Sequence, residues 1–228
     1  MIKKTIISWS SGKDSALTLL RLQENPDYDV VGLYTTYVGD GVPFQNTPLN
    51  VVKAQADRLG LPLIVIPLPE VFPPNDIYQS LVVEGIRQSG VDIDAVAFGD
   101  MFCNGIADYR RSYIEPAGWE PVFPLLGTRP ASLASEIINR GIQTRVCTID
   151  TTQLDGRFCG EMYNADFLSS LPGGVDLCGE DGEFHTLVLD MPGFASPLSI
   201  EDCGINRDGR FHFLEYRLSD SDFTNSAV

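Results

Sequence analysis

The first half of the chain switches repeatedly between two hydrophobic periods. Thr5–Trp9 is a short, mostly apolar run that reads as a buried strand. Lys13–Gln23 follows with Ala16, Leu17, Leu19 and Leu20 apolar, a helical spacing. Val30–Tyr37 is β-branched and aromatic, as a strand requires, and Asn50–Leu59 is an amphipathic helix closed by Gly60. Leu63–Ile66 predicts a strand, cut off by Pro67 and Pro69. Ile77–Gln88 predicts a helix ending near Gly90, Ala95–Phe98 a short strand, Ile106–Ile114 a helix and Pro121–Phe123 a strand. Alternating strands and helices build β-α-β units, so the expected architecture is α/β, a Rossmann-like parallel sheet with helices on both faces. Such sheets bind ligands in the crevice beyond the carboxyl ends of their strands.

The rhythm changes near Gly127–Pro130. Ser132–Arg140 predicts one more helix and Thr144–Ile149 one more strand. Turn-rich stretches follow, then strands at Thr186–Leu189 and Phe211–Leu218 and a polar tail, Ser219–Val228, expected to fray. This divides the chain into residues 1–128 and a smaller α+β region, residues 129–228. Hydrophobic residues make up 43% of the 228 and charged residues 21%, enough for a packed core and against wholesale disorder.

Charge narrows the partners. Against 31 acids stand 16 bases, a formal net charge of −15, and no Lys/Arg cluster exceeds a pair. A nucleic-acid partner needs a basic stripe to neutralise phosphates, so none is expected. No apolar run reaches membrane-spanning length, and the N-terminus runs into a strand without the apolar core of a signal peptide. The cysteines, Cys103, Cys147, Cys159, Cys178 and Cys203, form no C-x-x-C pair. That gives no support to a zinc knuckle or redox couple and suggests reduced thiols in the cytoplasm.

The densest chemistry lies between the first strand and first helix, at Ser10, Ser11, Gly12, Lys13, Asp14 and Ser15. Small residues let backbone N–H groups turn toward an anion, and the helix start adds unsatisfied donors. Lys13 offers a point charge for phosphate oxygens, and Asp14 is placed to hold Mg²⁺. The plainer alternative is a strand-to-helix turn capped by Ser10 or Ser11. The spacing is neither G-x-x-x-x-G-K-[ST] nor G-x-G-x-x-G.

Two further stretches follow. Gly99 and Asp100 end the fourth strand, where Asp100 would hold a metal or substrate or simply make a turn. Arg110 and Arg111 lie on the next helix, where one would reach nucleotide phosphates or both would face solvent. Later, Cys178 to Asp190 contains Gly179, Glu180, Asp181, Gly182, Glu183, His185 and Thr186. Glu180, Glu183 and His185 would orient an amine, accept a proton or complete a metal site, unless Asp181–Gly182 is only a hairpin turn. His212, alone in a strand pattern, reads as structural.

The Ser10–Ser15 stretch resembles the S-G-G-x-D-S signature of the PP-loop, or N-type ATP pyrophosphatase, superfamily, with Ser11 in place of the first glycine. Gly179–Thr186, Asp190 and Pro192 are similar to a motif of the diphthine–ammonia ligase family within it. With Gly99–Asp100 and Glu120–Leu125 the likeness covers most of residues 1–195. It implies an adenine nucleotide alpha hydrolase-like fold and ATP with Mg²⁺. The implied reaction is adenylation of a carboxylate with release of pyrophosphate, then displacement of AMP by ammonia. It further implies nucleotide contacts at Ser10–Ser15, Leu33, Tyr34, Gly99 and Arg110, and metal at Asp14 and Asp100. Catalysis would fall to Lys13, Asp14, Glu180 and Glu183, and the acceptor to Asp100, Gly179, Glu180, Gly182, Glu183, His185 and Thr186. The acceptor is expected to be a modified protein, such as elongation factor 2 diphthine, or a metabolite. Oligomerisation is left open. The alternatives are tRNA thiolation, as other PP-loop proteins perform, and a non-catalytic ATP sensor.

Overall fold

A computed structural model of the chain describes residues 1–43, 45–101 and 105–219. Cys103 and all but the first residue of the polar tail lie outside the described residues. In chain order the elements are β1 (Lys3–Ser8), α1 (Lys13–Gln23), β2 (Tyr28–Tyr37), β3 (Gly41–Val42), β4 (Thr47–Pro48), α2 (Leu49–Leu59), β5 (Leu63–Pro67), α3 (Asn75–Gln88), β6 (Ala95–Ala97), α4 (Ile106–Ile114) and β7 (Glu120–Val122). The second region supplies α5 (Pro130–Asn139), β8 (Gln143–Asp150), α6 (Ala165–Ser170), β9 (Phe184–Asp190), β10 (Ile200–Asp208) and β11 (Phe211–Leu218).

Strands of the first half pair in parallel, in the order β5-β2-β1-β6-β7. The chain builds outward from β1 in one direction through β2 and β5, then returns to add β6 and β7 on the other side. That reversal opens a crevice above β1. Adjacent residues point to opposite faces of the sheet. Ile7, Leu33 and Ala97 pack with α1, α2 and α5, while Ile6, Tyr34 and Val96 pack with α3 and α4. Helices thus cover both faces, as the alternating pattern predicts.

α1 departs from a surface helix, because eight of its eleven residues are buried, Lys13 and Thr18 among them. A helix buried on nearly every side must be enclosed by more than the sheet it crosses. The enclosure comes from the second region. Its antiparallel sheet, ordered β10-β11-β8-β9, packs on the far side of α1. One hydrophobic cluster joins Ile7, Leu17 and Leu20 to Ile137, Val146, Phe184 and Val188 across the residue 128/129 boundary.

Four elements are absent from the sequence reading. The β3–β4 pair interrupts what reads as loop, and α6 is a single short helix whose Asn164 side chain accepts from the Phe167 N–H. β10 is an edge strand exposed along almost its whole length, paired only with β11.

Candidate active site

The turn after β1 is held from beneath by a buried amide. Gln55, on α2, accepts from Trp9 Nε1 at 2.9 Å and donates to the carbonyls of Ser11, at 3.3 Å, and Val188, at 2.8 Å. Ser11 sits at φ 72°, in the left-handed region where a Cβ is strained. Its hydroxyl donates to Thr47 Oγ1 at 2.9 Å. The N-cap of α1 is Gly12, with no side-chain cap bond, so neither Ser10 nor Ser11 caps the helix. Gly12 and Gly99 permit close approach: a Cβ on Gly12 would lie 3.0 Å from the Thr186 carbonyl oxygen, and one on Gly99 3.0 Å from the Asp14 backbone carbon.

The loop is also bonded to β9. Thr186 Oγ1 accepts from the Lys13 N–H at 3.1 Å, and the Val188 N–H donates to the Ser11 carbonyl at 2.9 Å. The Ser10–Ser15 turn and the strand behind the acidic loop therefore form one hydrogen-bonded unit.

Lys13 and Asp14 stand at the junction. The Lys13 ammonium lies 2.9 Å from Asp14 Oδ2, with its side chain 3% exposed. It also sits 5.7 Å from the ring centroid of Phe184 and 5.9 Å from that of Tyr163. Burial works against its charge, but Asp14, Cys178 and Glu180 together outweigh burial and push the Lys13 pKa up. Burial pushes the Asp14 carboxyl up despite Lys13, and its Oδ1 is buried with no hydrogen-bond partner. Glu180 feels the same enclosure: burial, then the neighbouring Asp14 charge, push its carboxyl up to about 8. Glu183 is buried more deeply and differently engaged. Its Oε1 accepts from the Asp176 N–H at 2.8 Å, and its Oε2 is buried without a partner. Gly179 and Gly182 take positive φ in the turn before β9, and a Cβ on Gly179 would strike the Phe184 carbonyl at 2.6 Å. Asp181–Gly182 is a turn leading into β9 rather than a two-residue hairpin between paired strands.

The crevice above β1 is a cavity of about 230 Å³ lined by Ser10, Thr35, Thr36, Tyr78, Arg110 and His185, among others. Arg110 donates to Asp100 at 3.1 Å and to the Tyr113 hydroxyl at 3.1 Å, with its guanidinium over the Phe98 ring at 4.7 Å. Arg111 turns outward to Glu115. Leu33 and Tyr34 lie in the core, one on each face of the sheet, and Thr35 and Thr36 are the β2 residues that reach the crevice. Lys13 faces the second region and is not among the residues lining the crevice. A second cavity of about 800 Å³ adjoins the first, and His185 lines both. Burial, then Lys13, lower the His185 pKa to about 4, so its imidazole is neutral at ordinary pH.

The structure thus gathers Asp14, Glu180 and Lys13 around one point and sets Ser10, Arg110 and His185 around the crevice. Thr186 and Glu183 hold backbone instead. Gln55, Thr47 and Tyr163 were not anticipated. Gln55 had a signal, as the single amide within the apolar stripe from Val51 to Ala56. Cys147 and Cys178 are buried, with thiols pushed up to about 12, so neither is poised as a nucleophile. Among the described residues no helix is long and apolar enough to cross a membrane.

Comparison with known proteins bears on these features. Residues 129–217 match the family described as the diphthamide synthase C-terminal domain. The diphthine–ammonia ligase of Danio rerio is 25% identical over 224 residues, covering 84% of this chain and 84% of that protein. The diphthine–ammonia ligase of Rattus norvegicus is 27% identical over 138 residues, covering 56% of this chain and 48% of that protein. A solved structure titled as a predicted subunit of tRNA methyltransferase from Methanocaldococcus jannaschii superposes with a TM-score of 0.44 at 18% identity, covering 64% of this chain and 79% of that one. The chain is thus similar to the diphthine–ammonia ligases over most of its length, and its residues 129–217 match the diphthamide synthase C-terminal domain family.

Proposed function

We propose that this protein uses ATP to adenylate a carboxylate and then passes the acyl group to ammonia, giving an amide, AMP and pyrophosphate. The observation that carries this reading is the direct bonding of the Ser10–Ser15 loop to β9, which puts a nucleotide loop and an acidic loop on one rigid unit. The relatives named diphthine–ammonia ligases support the same chemistry.

In this reading the crevice takes the nucleotide, with Ser10 and the Arg110 guanidinium toward its phosphates and Thr35 and Thr36 toward the base side. An acceptor carboxylate oxygen attacks the α-phosphorus and pyrophosphate departs. Ammonia then attacks the acyl carbon, AMP leaves, and the proton released goes to a base. Glu180 is that base, half-enclosed beside Asp14 and with a carboxyl tuned near 8. Lys13 acts as a fixed internal cation beside Asp14, partly offsetting the burial of that carboxyl, rather than as a phosphate ligand.

Mg²⁺ fits this donor set modestly. It commonly binds through one or two protein carboxylates plus phosphate oxygens. Asp14, with its orphaned buried oxygen, would hold it, while Asp100 is already engaged by Arg110. Bound there, the metal would neutralise charge on the phosphates.

The test uses α-labelled ATP, Mg²⁺ and ammonium with native-source extract split into protein and small-molecule fractions. AMP formation dependent on one fraction, and abolished in Asp14→Ala, is the expected result. ADP in place of AMP, or AMP production undiminished in the variant, would sink the proposal.

A further inference from the structure

The larger cavity has been given no role as a whole, although Gly182 and His185, expected from the sequence to meet the acceptor, line it. Its walls come from the β3–β4 segment, the stretch after β5, and the β9 and β11 strands of the second region. Apolar side chains dominate: Val38, Val42, Val71, Phe72, Phe211 and Phe213. The charged groups are few and lopsided. Asp150 is buried and paired with Arg210 at 3.3 Å. Asp40 and Asp181 line the same space and make no ion pair among the described residues. His185 lines both this cavity and the crevice, as do Val42, Pro43 and Val71. Of these four, His185 alone has a side chain that exchanges hydrogen bonds, and it stands on the strand bonded to the Ser10–Ser15 loop.

We propose that this cavity is the chamber for the acceptor's non-reacting body, and that it selects a monocarboxylate on a largely apolar body with no second negative charge. The inference rests on the acyl-activating reading above. The acceptor's one carboxylate passes His185 to reach the crevice, where a neutral imidazole donates a hydrogen bond without trapping the anion. The apolar walls take up the body. A second carboxylate would stand beside Asp40 and Asp181, where like charge opposes it. His185 is accordingly a specificity-determining contact. The same chemistry would come from a free acid or from a modified protein side chain.

The probes are 4-phenylbutyrate, an apolar monoacid, and adipate, a diacid of similar length. Binding is read without ATP by saturation-transfer NMR on the full chain, and acyl activation separately by exchange of labelled pyrophosphate into ATP. Phenylbutyrate should bind at least about tenfold more tightly than adipate. Phe72→Glu, at an exposed wall position, should weaken phenylbutyrate by about tenfold. The Asp40→Asn/Asp181→Asn pair, both at exposed positions, should instead gain adipate binding. Melting curves confirm that each variant is folded. Equal binding of the two acids, or indifference to all three substitutions, overturns the chamber. Exchange driven by adipate and not by phenylbutyrate overturns it too, while leaving acyl activation standing. Phenylbutyrate binding that obeys the substitutions without any exchange supports the chamber and removes the ligase reading instead. Native extract fractions then compete with the probe. Displacement by small molecules identifies a free acid, displacement by protein identifies a side chain, and displacement by neither overturns the assignment.

Discussion

Glu180 and His185 stand five positions apart along the backbone, and burial moves them in opposite directions on the pH scale. Glu180 is pushed from an ordinary 4.5 up to about 8, so the folded protein holds that proton more tightly than the unfolded chain. Its contribution to stability therefore falls as pH rises from about 4.5 through 8. Glu180→Gln should gain thermal stability relative to the parent between pH 5 and 8, and should lose the rise in amide formation through pH 8. Parallel melts and rates across that range test both. His185 works the other way. Its pKa falls from 6.5 to about 4, so stability is intact above 6.5 and is lost as pH drops toward 4. His185→Phe should flatten that acid limb in the same melts. These roles were partly legible. Small residues, a lysine and an acid at a strand-to-helix turn announce an anion loop, and the carboxylates before Thr186 announce themselves by density. The direction of Lys13 was not legible, because nothing local tells a side chain to face an aromatic pair contributed 150 and more residues later. Leu33 and Tyr34 illustrate another limit. Sequence identified the strand, but only its register, with Tyr34 opposite Ser8, fixes which residue first clears the sheet.

At the scale of elements, the loop after β1 depends on α2 more than on its own residues. Gln55→Leu removes the partner of Trp9 Nε1 and of two carbonyls at once. Leaving such groups buried and unpaired should cost about 3 kcal/mol or more in chemical denaturation, and ATP affinity should fall with it. Ser11 allows a finer comparison. Ser11→Gly relieves left-handed strain of about 1 kcal/mol and loses a hydrogen bond of about the same worth, so stability should hardly change. Ser11→Ala keeps the strain, loses the bond and should cost about 1–2 kcal/mol. An equal loss in both variants would contradict this account. Elements with a one-sided apolar stripe were readable, whereas β10 was not. A strand exposed on both faces and paired along one edge has no reason to alternate, so Ile200–Asp208 reads as loop.

For the whole molecule, the change of pattern near residue 128 marks a change of sheet type but not a break in the core. Leu133, Ile137, Val146, Phe184 and Val188 share one cluster with α1 and the parallel sheet. A fragment of residues 1–128 would expose the side of α1 that β9 covers. It should fail to give a cooperative melt, and a dye that binds exposed apolar surface should light up with it. A sharp unfolding transition for that fragment would show two independent domains after all. Topology was readable from the alternation of strand and helix, since short right-handed crossovers leave few options. The continuity of the core was not, because a buried helix and an amphipathic one differ in sequence only by what faces the missing partner.

The bonding of β9 to the turn after β1 has a consequence for protein engineering. The strand that carries His185 into the acceptor's chamber is the same strand that accepts the Lys13 N–H and reaches Gln55 through Val188. Exchanging residues 129–228 for those of a relative, in the hope of transplanting its substrate preference, would import a β9 shaped to another nucleotide turn. Position 55 and the residues flanking Gly12 would have to travel with the graft. Specificity in this architecture is inherited as a matched pair of segments, far apart in the chain and recombined only together.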